Sequence, residues 1–144
     1  MEDFVTFEIA KKLKEKGFLE ECFATYSLYG GIFKLNEIDA DKIASYNLNI
    51  LDKCFKKCYN YYIKGSYCDA PTISQVMKWL REKKKIYINI DVNYIVCKYE
   101  ESIYKYRFYI TNLSNHDRDA TLEDFDSFEE CALAGINYAL DYLI

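Results

Sequence analysis

The chain has 144 residues, a formal net charge of −4, 51% apolar and 29% charged residues, with one Pro and five Gly. Those figures exclude a disordered tail, a collagen-like repeat and low-complexity linkers. The length fits one domain, residues 1–144, which would bury roughly 70% of its unfolded surface and need neither disulfide nor metal to fold.

The first expected element is a helix over 7–16. Thr6 is its cap, Ile9, Ala10 and Leu13 its apolar side, and Gly17 its left-handed stop, with Phe18 packing back. Two apolar-aromatic runs, 22–29 and 32–36, flank Gly30-Gly31 and read as a hairpin with a two-residue turn. Residues 37–50 are mixed and read as loop. In 51–63, Leu51, Cys54, Phe55, Cys58 and Tyr62 fit a helical stripe better than Phe55, Tyr59, Tyr61 and Ile63 fit a strand.

Ala70-Pro71-Thr72 opens the clearest helix. Thr72 caps it, Gln75 completes a capping box, and Ile73, Val76, Met77 and Leu80 form the stripe, which ends near 83–85. Residues 86–93 alternate apolar and polar without a break, as a half-buried strand does. After a reversal at 100–102, Tyr104, Tyr106, Phe108 and Ile110 alternate with Lys105, Arg107, Tyr109 and Thr111 as its antiparallel partner. Residues 112–126 read as an acidic loop. Ser127 and Glu130 then cap a last helix whose apolar face runs from Phe128 through Cys131, Gly135 and Ile136 to Leu143. Gly135 costs up to ~1 kcal/mol against Ala in mid-helix, which points to close approach between this helix and the sheet.

The order αββ-α-ββα predicts an α+β two-layer sandwich: an antiparallel sheet of two hairpins with the helices on one face. The segments 9–16 and 76–83 echo each other. The echo fits a duplicated αββ unit, and it equally fits any two Lys/Glu-rich amphipathic helices.

The motifs for chemistry are few. His116, the single histidine, stands in the polar run 115–119 without a nucleophile signature beside it. Cys54, Cys58 and Cys68 have the wrong spacing for a zinc knuckle. An EF-hand loop starting at Asp117 fails, because Leu122 and Phe128 stand where Gly and Glu belong. No phosphate-cradling glycine loop is present. No catalytic residue, metal or cofactor is therefore expected, and the chain reads as a non-enzymatic protein. The acidic start and the lack of any ~20-residue apolar stretch predict a cytoplasmic protein without leader or membrane span, with its six cysteines as free thiols.

Charge is uneven along the chain: net −4 over 1–52, +7 over 53–107 and −7 over 108–144. The basic middle would serve phosphate contacts through Lys83, Lys84, Lys85, Lys98, Lys105 and Arg107, with Tyr87 or Tyr109 stacking on bases. Alternatively, the basic and acidic stretches meet in the fold and screen each other.

With every helix on one face, the other face of the second hairpin presents Tyr87, Asn89, Asp91 and Asn93 against Lys105, Arg107, Tyr109 and Thr111. Tyrosine and arginine suit a protein interface, because each buries a large area while keeping a polar handle. Trp79 falls about 110° from the centre of its stripe, at the helix edge. There it serves either as a partner-binding anchor or as a wedge against a loop.

The runs 6–18, 70–82 and 128–136 resemble a family of small proteins of phages, prophages and conjugative elements in Bacteroides-like bacteria. That family carries no known activity, so the resemblance implies a mobile-element accessory protein and assigns no residue a role. The resulting expectation is a monomer or homodimer that docks a protein partner, such as a host or defence component, on Tyr87, Asn89, Asp91, Arg107, Tyr109 and Trp79. Nucleic acid on the 53–107 region is the alternative.

Overall fold

A computed structural model describes residues 3–34, 66–96, 102–121 and 123–144. The expected loop 37–50, the expected helix 51–63 and the residues Cys54, Cys58, Cys97 and Lys98 lie outside the described residues. The α+β class holds. The described chain divides into two compact units, Met1–Gln75 and Val76–Ile144.

In the first unit, helix α1 (Phe7–Glu15) begins where the Thr6 hydroxyl accepts from the Ile9 amide at 3.4 Å. It ends as expected. Gly17 is left-handed at φ 78°, the Phe18 amide donates to the Leu13 carbonyl at 2.9 Å, and the Gly17 amide donates to the Lys14 carbonyl at 3.2 Å. Phe18 is buried with Ile9, Ala10 and Leu13.

Strands β1 (Ala24–Ser27) and β2 (Ile32–Lys34) form the first hairpin. Its loop has three residues, Leu28, Tyr29 and Gly30, rather than the two expected. The Ser27 amide donates to the Gly31 carbonyl at 2.8 Å, and only Gly30 is left-handed, at φ 84°. The Gly31 amide donates to the Ser27 hydroxyl at 3.0 Å, and that contact fixes the longer turn.

Strand β3 (Ser66–Asp69) was not legible in the sequence. It pairs with the other edge of β1, giving the order β2-β1-β3. The buried Thr25 hydroxyl donates to the Cys68 carbonyl at 2.9 Å, and the Tyr26 hydroxyl donates to the Val5 carbonyl. Phe7 sits between Tyr26 and Tyr67 in tilted and edge-on contact, with ring centroids 5.4 and 6.0 Å away.

Helix α2 (Ile73–Lys83) starts in a complete capping box. The Gln75 amide donates to the Thr72 hydroxyl at 3.2 Å, and the Thr72 amide donates to the Gln75 side-chain oxygen at 2.9 Å. Thr72→Ala removes one of these bonds and should cost about 1 kcal/mol. Thr72→Ser should retain most of that stability, and urea denaturation of the two variants distinguishes them.

The second unit holds β4 (Ile86–Val96), β5 (Ser102–Asn112), β6 (Arg118–Ala120) and helix α3 (Phe128–Tyr142), with sheet order β4-β5-β6. The two expected hairpins thus belong to two sheets, each gaining a third strand. The expected acidic loop 112–126 contains β6, and its Phe125 bridges to Tyr106 further along β5. Arg118-Asp119-Ala120 carries no apolar signal because it is a short polar edge strand, the kind that resists further pairing. His116 lies in the turn before it, left-handed at φ 64°, and its amide donates to the Asn112 carbonyl at 2.8 Å.

The register Ile88↔Ile110 and Ile90↔Phe108 puts Ile86, Ile88, Ile90, Phe108 and Ile110 on one face of the sheet. Helix α3 packs on that face through Gly135. A β-carbon there would stand 3.0 Å from Ile88 Cγ2 and 3.3 Å from Phe108 Cγ. The helix starts as expected, with the Glu130 amide donating to the Ser127 hydroxyl at 3.1 Å. Its buried side carries Cys131, Ala132, Gly135, Ile136, Ala139 and Leu140.

Candidate partner-binding face of the second sheet

Strand alternation turns the remaining positions of β4 and β5 to the face away from α3. The register Tyr87↔Thr111, Asn89↔Tyr109 and Asp91↔Arg107 brings five of the expected site residues into one patch. Tyr87 is 40% exposed and Tyr109 37%, and Asn89 and Asp91 are exposed as well. The Asn89 amide donates to Asp91 Oδ1 at 3.0 Å, which orders two neighbouring polar groups along β4.

Arg107 and Lys105 are held by the chain itself. Arg107 Nε donates to Asp124 Oδ1 at 2.5 Å and its Nη2 to Asp124 Oδ2 at 3.4 Å, a two-pronged pair. The Lys105 ammonium donates to Asp126. These bonds raise both bases above their ordinary pKa values, mainly through the carboxylate acceptors. The basic strand and the acidic segment thus meet at these two pairs and screen each other.

The sequence reading missed Asp124 and Asp126 as partners. Their signal was the short alternation Asp124-Phe125-Asp126. Because Phe125 bridges Tyr106, its ring goes to the helix side, 6.1 Å from Phe108, and its two acidic neighbours go to the open side.

Trp79 is not part of this patch. It is 5% exposed, with the Lys84 ammonium 5.1 Å over its ring. The partner-binding anchor expected there is corrected to a buried side chain, nearer the wedge alternative. The physical reason is the position of the stripe. Ile73, Val76, Trp79 and Leu80 are buried while Met77 is only half-buried, so the arc centres on Val76 and Trp79 lies about 60° from it.

Among the described residues no group of three His, Cys, Asp or Glu side chains is placed to hold a metal ion. Burial pushes the Cys68 and Cys131 thiols up to about 11, and it raises Tyr26 too. Both thiols start from 9.0, so between pH 9 and 11 the unfolded chain loses protons that the folded chain keeps. Stability must therefore fall as pH rises through that window. Denaturation midpoints measured across it should drop, and the drop should shrink in Cys131→Ala.

No described helix is long and apolar enough to cross a membrane. Comparison with family models, with curated proteins and with solved structures found no match to this chain.

Proposed function

We propose that this chain is a non-enzymatic accessory protein of a mobile genetic element. It acts in the cytoplasm by docking a protein partner on the face formed by Tyr87, Asn89, Asp91, Arg107 and Tyr109. One observation carries the reading: a two-stranded face, apolar on its helix side, turns two half-exposed tyrosines outward beside cations that are already paired. A partner gains the tyrosine area without having to desolvate a lone arginine, since the Asp124 carboxylate compensates Arg107 in the free chain. The same pairs weigh against the nucleic-acid alternative. Phosphates would have to displace Asp124 and Asp126 from the two strand cations best placed to meet them.

The test is site-specific photo-crosslinking in host lysate from position 87 or 109. One discrete protein adduct is expected, suppressed by excess unlabelled native chain and not by the Tyr87→Ala/Tyr109→Ala variant. Adducts that both competitors suppress equally would contradict the reading. So would a low-salt gel shift of nucleic acid that disappears in Lys105→Ala.

A further inference from the structure

On the helix side of the same sheet, a cleft runs between α3 and the segment that follows β6. One end is about 320 Å³ and is lined by Phe108, Asp119, Ala120, Thr121, Glu123 and Tyr138. The adjoining end, about 300 Å³, shares Phe108, Thr121, Glu123 and Tyr138 and adds Phe125, Asp141 and Tyr142. Each is at the lower end of the ~300–1,000 Å³ typical of ligand pockets.

Two features of the lining combine. The first is a continuous aromatic ladder. Phe125 to Phe108 is 6.1 Å between centroids, Phe108 to Tyr138 is 6.2 Å, and Tyr138 to Tyr142 is 4.9 Å. Its outer rung, Tyr142, is 73% exposed, a large ring left in water at the mouth of the cleft. The second is charge. Asp119, Glu123 and Asp141 are acidic, and among the described residues none that lines the cleft is basic. The whole stretch 108–144 carries net −7.

Aromatic faces attract cations, and they do so best where carboxylates stand close by. A planar guanidinium satisfies both features, since it stacks on a ring and forks onto a carboxylate. We propose that this cleft receives an arginine side chain presented by a basic segment of a partner protein. The site is independent of the tyrosine face on the opposite side of the sheet.

Calorimetric titration with a short blocked peptide carrying two arginines tests it, against the same peptide with citrulline, which keeps the shape and loses the charge. The arginine peptide should bind and weaken as salt is raised, and the citrulline peptide should bind at least tenfold more weakly. Tyr142→Ala should weaken arginine binding roughly two- to five-fold, and Glu123→Gln should weaken it and reduce its salt dependence. Tyr142 and Glu123 are exposed, so both variants should keep the native fold, and circular dichroism verifies that. Equal binding of both peptides, no heat from the arginine peptide, or unchanged affinity in both variants overturns the proposal. Tetramethylammonium binding as tightly as the peptide would replace the basic protein segment with a small cation and overturn it as well.

Discussion

Ile136→Ala is expected to destabilise the second unit by about 2–5 kcal/mol. Ile136 is fully buried on α3, one residue from the glycine that meets the sheet. Removing its branched end loses transfer free energy and leaves a cavity. Chemical denaturation read by near-UV circular dichroism measures the loss. A change below 1 kcal/mol would contradict the full burial of the Ile136 side chain on α3.

The second large effect is at Gly135, where two terms oppose each other. Any side chain gains helix propensity, up to ~1 kcal/mol for Ala. It also meets Ile88 Cγ2 at 3.0 Å and Phe108 Cγ at 3.3 Å. For Gly135→Ala, neighbours that yield by a few tenths of an ångström leave a net change near zero or a small loss. For Gly135→Leu, three further carbons must enter the same gap, and the overpacking cost rises to about 3 kcal/mol or more. The expected series is steep, with glycine and alanine close together and leucine far below. Similar stabilities for alanine and leucine would show that the helix stands off the sheet.

Much of the second unit was legible because its signals are local and periodic. The unbroken alternation of 86–93 and of 104–111 gave the face each residue takes, although Val92 and Tyr104, on the helix-side face, are 54% exposed. The capping boxes at Thr72 and Ser127 fixed where two helices start, and a glycine in mid-helix revealed the close approach. The short strands escaped. Ser66–Asp69 is too brief to display a period, and Arg118–Ala120 has no apolar side to display. Both are recruited by pairing with strands distant or adjacent in sequence, and that information resides in the partner strand. Trp79 was misplaced for a related reason. One half-buried methionine, Met77, was counted into the stripe, and that shifted its centre away from the tryptophan.

The patch itself was read from alternation alone, and five of its six residues stand together. What sequence did not convey was that Arg107 and Lys105 already have partners. Asp124 lies 17 residues beyond Arg107 and reaches it only because the chain returns along β5. That return changes the face from a basic strip to a tyrosine-bearing one whose two cations are paired.

Tyrosine nitration with site-resolved mass spectrometry examines the open face most directly. In the free chain at low concentration, Tyr87 and Tyr109 should be modified readily while the buried Tyr26 resists until the protein unfolds. Bound partner should then shield Tyr87 and Tyr109 together. If these two rings are protected in the free chain to the same degree as Tyr26, the face is covered and the docking account is wrong.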